Sequence, residues 1–145
     1  MTVKPLRLMA EDVSDLEVVS AALQDALAKV GDIHFDAGAR TLVLALNRFR
    51  WEAAGKRGGE RVRSVLQVSG VLAVKAKRLR REPKDAVVSL LSITFAPGEE
   101  PGGAVVLTFA GGGELSCEAE CLDVMLADVG QAWPTRNRPQ HDASA

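Results

Sequence analysis

The sequence predicts an α+β protein that is predominantly antiparallel β, with one helix ahead of the strands and one behind them. Three observations predict it. Apolar and polar residues alternate with period two in about seven short stretches; glycine- and proline-rich breaks separate those stretches; and a helical apolar spacing occurs only near the two ends. No helical pattern joins one strand to the next, which excludes a doubly wound parallel sheet. With 145 residues, 47% hydrophobic and 26% charged, the chain suits one globular domain, read as residues 1–134 followed by a loosely held tail over 135–145.

Ser14-Asp15-Leu16-Glu17 has the form of a capping box, with Val13 and Val18 placed as a hydrophobic staple, so the first helix is predicted over residues 12–24. Residues 26–35 read as a strand on the strength of Val30, Ile33 and Phe35 ahead of a turn at Asp36-Ala37-Gly38. In the strand over 41–51, Leu42, Leu44 and Leu46 share one face, but Phe49 and Trp51 take the opposite parity. A one-residue slip exchanges the faces of a strand, so either a β-bulge near Asn47 and Arg48 or a strand that leaves one layer and enters another is expected. A basic glycine-rich loop, Ala54 to Gly59, follows.

Val62, Leu66 and Val68 mark one strand, and Leu72, Val74 and Ala76 the next. A turn at Pro83 and Asp85 leads to a strand with Val87, Leu91, Ile93 and Phe95 on one face, and another carries Val105, Leu107 and Phe109. After Gly111-Gly112-Gly113, Leu115, Cys117 and Ala119 alternate with Glu114, Ser116, Glu118 and Glu120, a strand with an acidic outer face. Leu122, Met125, Leu126 and Val129 stand at i, i+3, i+4 and i+7, which predicts the closing amphipathic helix.

Seven strands followed by one helix is similar in order to a pleckstrin-homology-like barrel; a split barrel, or an open antiparallel sheet covered by two helices, satisfies the same pattern. The turn Asp36-Ala37-Gly38-Ala39-Arg40 departs from the basic first turn of pleckstrin-homology lipid sites.

Composition narrows function mainly by exclusion. Cys117 and Cys121 lack a second Cys or His pair at zinc spacing, His34 and His141 are the sole histidines, and no nucleophile elbow occurs, so neither a metal nor a catalytic residue nor a cofactor is assigned. The glycine runs lack the following helix and lysine of a phosphate loop. No signal peptide or membrane span is legible, which points to the cytoplasm without membrane insertion.

The formal charge of −1 conceals a strong asymmetry: residues 56–84 carry ten basic and two acidic side chains, and residues 85–128 carry eight acidic and no basic ones. The candidate contact surface is Arg63, Lys75, Lys77, Arg78, Arg80 and Arg81. It suits a protein partner or a second copy of the chain; nucleic acid is the alternative, weakened by the lack of any aromatic residue between Trp51 and Phe95 on which bases could stack. A second candidate, a pocket around Asn47, Arg48, Arg50, Trp51 and Glu52, mixes aromatic and ionic groups beside the expected bulge. The competing reading puts Phe49 and Trp51 in the core with Arg48 and Arg50 reaching outward.

Four stretches, Lys29-Val30-Gly31-Asp32-Ile33, Leu46-Asn47-Arg48-Phe49-Arg50-Trp51-Glu52, Leu107-Thr108-Phe109-Ala110-Gly111-Gly112-Gly113 and Arg138-Pro139-Gln140-His141-Asp142, resemble a single-domain family of unknown function found chiefly in alphaproteobacteria. The resemblance spans nearly the whole chain and implies a bacterial cytoplasmic protein, without an activity. A non-enzymatic binding or adaptor domain is the function these observations favour, with an enzyme whose site is not recognisable in the sequence as a further alternative.

Overall fold

A computed structural model describes residues 5–51 and 59–135. The chain opens with β1 (Arg7–Ala10) and α1 (Val13–Ala22), then β2 (Ala26–Lys29), a short 3-10 turn (Val30–Asp32) and β3 (Ile33–Asp36). The long strands β4 (Thr41–Phe49) and β5 (Gly59–Ser69) follow, and β6 (Val71–Lys77) continues β5 past one glycine. Next come β7 (Val87–Pro97), β8 (Gly103–Phe109), β9 (Glu114–Ala119), β10 (Val124–Asp128) and β11 (Trp133–Thr135).

All strand pairings are antiparallel, and one sheet runs β1-β10-β5-β4-β2-β7-β8-β9-β6, with β3 added to β4 and β11 to β5. The antiparallel β class predicted from period-two alternation is therefore observed, with eleven strands among the described residues rather than about seven. The hydrogen-bonded path is not closed. Its ends are β1 and β6. Gly70, at φ +69°, turns the corner between β5 and β6, a conformation that costs glycine little and other residues more. One continuous run thus serves in the middle of the sheet and again at its edge.

The core is mainly aliphatic: Leu42, Leu44, Leu46, Leu66 and Val68 from the centre of the sheet meet Leu90, Ile93, Val105, Leu107 and the aromatic Phe109 from its other arm. α1 inserts Leu16 and Val19 into this core, its C-cap residue Leu23 follows them, and the helix packs against β7 and β1. Its cap is Asp12, whose carboxylate accepts from the Asp15 N–H at 2.8 Å, and the helix begins two residues earlier than a Ser14 cap allows. Asp12-x-x-Asp15 competes with Ser14-x-x-Glu17 in the sequence, and a charged acceptor suits the positive end of the helix.

Two further expectations are corrected. The predicted closing helix over residues 122–129 is strand β10, held between β1 and β5. Leu122, Val124 and Leu126 are buried while Val129 is 59% exposed, so the run has period two; its apolar residues also fit a helical spacing, and pairing to β1 on one side and β5 on the other decides between them. The pleckstrin-homology-like arrangement thereby loses its closing helix, and α1 is the one α-helix among the described residues. The second correction concerns the bulge. β4 pairs with β5 without interruption from Thr41↔Ser69 to Phe49↔Arg61. Register shifts lie elsewhere: one in β6 between Val71 and Ala73, and one in β7, where the register with β8 shifts between Leu90 and Ser92 and turns Leu91 outward. Leu90 and Ile93 are thus both buried, and the Ile93 N–H donates to Ser20 Oγ on α1 at 3.0 Å. The expected loop over Ala54 to Gly59 lies outside the described residues except for Gly59, as does the tail beyond Thr135.

Among the described residues, no helix is long and apolar enough to cross a membrane.

Candidate functional site

With no bulge in β4, Arg48 keeps the inward parity of Leu42, Leu44 and Leu46. Its side chain is fully buried. On β5 the inward position between Val62 and Leu66 is Ser64, and on β10 the inward series ends in Asp128. Each of three adjacent strands thus contributes one polar group to the same point of the interior.

Those groups satisfy one another. Arg48 grips the Asp128 carboxylate with two parallel hydrogen bonds, Nε to Oδ1 and Nη2 to Oδ2, both 2.8 Å. Ser64 Oγ donates to Oδ1 at 2.7 Å, and the Leu6 backbone N–H donates to Oδ2 at 2.8 Å. Burial acts to raise the Asp128 pKa; the hydrogen bonds from Arg48, Leu6 and Ser64, together with the Arg48 charge, outweigh it and hold the carboxyl below its ordinary value. The bidentate fork is the strong form of this contact. Its task is to tie β4, β5, β10 and the segment entering β1 into one unit.

The remaining residues of the expected second pocket are also committed to packing. Arg50 donates to Glu60 Oε1 at 3.1 Å, Trp51 Nε1 donates to the Gln24 carbonyl at 3.1 Å, and the Trp51 ring meets Phe49 edge-on at 4.6 Å. Asn47 accepts from Arg63 through its side chain and from Arg61 through its carbonyl. The cation over an aromatic ring is Arg61 above Phe49, at 5.9 Å. Burial lowers the Arg61 pKa, with the Asp25 charge working the other way. Arg48 and Arg50 are inside, contrary to the outward-reaching reading, while Glu52 lies outside the described residues.

The basic surface divides. Arg63 belongs to the packed end, bonded to Asp32 at 3.1 Å and Asn47 at 3.2 Å. Lys75 and Lys77 stand on the outer face of β6, where the register with β9 sets Lys77 opposite Glu114, Lys75 opposite Ser116 and Ala73 opposite Glu118. A good part of the asymmetry between residues 56–84 and 85–128 is therefore interleaved on one face of one sheet. Arg78, at φ +53°, ends β6, and Arg80 and Arg81 follow in the connection to β7.

Beneath that connection lies a cavity of about 300 Å³. Ile33 and Phe35 of β3, Leu42 of β4, Val74 and Ala76 of β6, Leu79 and Leu115 give it an apolar wall; Arg80, Arg81 and Lys84 stand at its rim. Among the described residues β3 is paired only to β4 and β6 only to β9, so these two strands each present one edge without a neighbouring strand. Gly31 packs closely against Lys84 of the rim. Its N–H donates to the Lys84 carbonyl at 2.8 Å, and a Cβ there would sit 2.9 Å from that same oxygen. Sequence reading found the arginines and missed the wall; the available signal was Leu79, an apolar residue set among Arg78, Arg80 and Arg81.

A second concavity, near the start of α1, has the opposite character, with Glu11, Asp12 and Glu100 beside Cys121, Phe95 and Leu122. No three His, Cys, Asp or Glu side chains among the described residues converge as metal ligands do. Cys117 and Cys121 are free thiols, and burial pushes the Cys117 pKa up to about 12, which makes it a poor nucleophile.

No curated protein and no solved structure matches the chain. A family model does, over residues 6–141, a span that takes in the buried Arg48–Asp128 pair and the whole wall and rim of the cavity. The chain belongs to the family described as Protein of unknown function (DUF2948).

Proposed function

We propose that this protein is a non-enzymatic adaptor domain of the bacterial cytoplasm that binds an acidic segment of a partner protein through Lys75, Lys77, Arg78, Arg80 and Arg81. The observation that carries the reading is the partition of the basic side chains. Arg48, Arg50, Arg61 and Arg63 are engaged inside the molecule, whereas Arg80 and Arg81 make no ion pair among the described residues and stand together at the mouth of an apolar cavity. An apolar recess with a few convergent charges is the usual form of a recognition site.

A different partner is favoured over a second copy. Glu114 and Glu118 alternate with Lys75 and Lys77 across the β6–β9 register and Glu120 pairs with Arg40, whereas Arg80 and Arg81 make no ion pair among the described residues, so the surplus on this face is basic and suits a separate acidic partner better than a second copy. A reducing compartment accords with the two free thiols. The test is binding of poly-L-glutamate and of a single-stranded RNA across a salt series. Poly-L-glutamate is expected to bind with salt-sensitive affinity and to be released by Arg80→Glu with Arg81→Glu, while light scattering reports a monomer throughout. RNA binding about tenfold tighter than poly-L-glutamate near physiological salt would replace this reading with the nucleic-acid one.

A further inference from the structure

The geometry points to strand addition at the free edge of β6 by an extended acidic peptide whose alternate apolar side chains enter the cavity between β3 and β6. This rests on the adaptor reading and specifies how the partner is held.

Three observations converge on it. First, β6 ends the sheet path, so among the described residues its outer edge faces no strand beyond the bond from the Val71 N–H to the Arg40 carbonyl. Such an edge is a template for another chain, and peptide recognition by strand addition draws affinity from the backbone and specificity from pockets that take alternate side chains. Second, the inward side of β6 at that edge is apolar and only partly covered. Val74 and Ala76 face the cavity, and Ala76 is exposed. A volume of about 300 Å³ lies at the low end for small-molecule clefts, which suits one or two anchoring side chains. Third, the molecule contains a template for the occupant. On its paired edge β6 holds β9, in which Leu115 and Cys117 turn inward opposite Ala76 and Val74, and Glu114 and Glu118 turn outward beside Lys77 and Lys75. A strand of the same alternation on the other edge would set its carboxylates against Lys75 and Lys77, with Arg78, Arg80 and Arg81 at the strand end.

The same charges select against the wrong occupant. Two copies joined edge to edge through β6 would bring Lys75 and Lys77 of each against those of the other, and the opposite sheet edge, β1, begins with Arg7. Edge lysines are a common guard against self-pairing; here they discriminate between a basic strand and an acidic one. The bulge between Val71 and Ala73 confines the usable edge to the stretch ending at Lys77.

The experiment uses fluorescent peptides of about eight residues, the length of an ordinary strand, and the full chain. One peptide alternates Glu and Leu, one alternates Glu and Ser, and a third repeats the Glu-Leu sequence with N-methyl groups on alternate amides. Expected are saturable binding of the Glu-Leu peptide, binding weaker by about tenfold for each of the other two, and loss of the Glu-Leu advantage in Ala76→Phe, which fills the cavity. A far-ultraviolet circular dichroism spectrum matching the unaltered chain certifies that variant; Val74→Phe is the replacement if it misfolds. Equal binding of all three peptides, abolished by Arg80→Glu with Arg81→Glu, overturns strand addition and leaves the adaptor reading standing. Absence of binding by any of them at about 1 mM overturns both. Dodecanoate binding that outcompetes the Glu-Leu peptide, with the N-methylated peptide unimpaired, assigns the cavity to a small amphiphile and removes the proposal.

Discussion

Arg48 and the Arg80–Arg81 pair are the same residue type in opposite circumstances. Arg48 is 0% exposed, paired two-pronged to Asp128, and joined through it to three strands and the N-terminal segment. Arg80 and Arg81 stand in solvent at a cavity mouth. Taking a charge out of water is costly, and an arginine is retained there when a partner of fitted geometry compensates it. Solvated arginines carry no such obligation and are available to other molecules. Within this chain, accessibility, rather than the density of basic residues in the sequence, separates the arginines committed to the fold from those open to solvent.

The comparison can be broken most forcefully at its buried end. Arg48→Met alone, or Asp128→Ala alone, is expected to lower unfolding stability by about 3–5 kcal/mol in urea denaturation, since each leaves an uncompensated buried charge. The double variant Arg48→Met with Asp128→Leu should recover most of that loss, and a double variant as unstable as the two singles combined would show the pair to be irrelevant. Acidity reaches the same pair from another direction. Because the Asp128 pKa is lowered in the folded protein, its contribution is fully present above the ordinary carboxyl range of about 4 and declines as pH falls through the folded value. An Asp128→Asn variant should therefore show a shallower acid limb in a stability-versus-pH series.

Arg63 is the intermediate case. Its pair with Asp32 is about one-third exposed on both sides, 39% and 33%, so Arg63→Ala should cost roughly 0.5–1 kcal/mol and less in high salt. At the far end, Arg80→Glu with Arg81→Glu should change stability by less than about 0.5 kcal/mol while removing affinity for acidic ligands. A large stability loss there would make these arginines structural and erase the contrast.

Legibility in the sequence follows the range of the interactions. Strands with strict alternation, such as Leu115, Cys117 and Ala119 against Glu114 and Glu118, are readable because burial on one face writes itself into neighbouring residues. β10 was not readable as a strand, since Leu122, Met125 and Leu126 satisfy a helical period as well and the deciding neighbours, β1 and β5, are far away in sequence. Arg48 defeats local reading for the same reason: a cation at an inward position looks like a phase change until Asp128, eighty residues later, is known to face it. The basic candidates Lys75 to Arg81 were visible as composition. What distinguishes them from Arg63, the apolar cavity beneath, is assembled from β3, β4, β6 and β9 and has no contiguous signature.

Gly70 gives these two halves a mechanical relation. It joins the part of the run locked beside β4 and β10 to the part that ends the sheet, through one left-handed backbone step. β6 is anchored along β9 on one flank and, on the other, by the Val71 contact next to the corner. The corner acts as the fulcrum of a lever whose long arm is the cavity's wall. A side chain at this position that resists the left-handed step would shift that arm, altering the width of the cavity mouth while the Arg48–Asp128 lock, on the other side of the fulcrum, held its place.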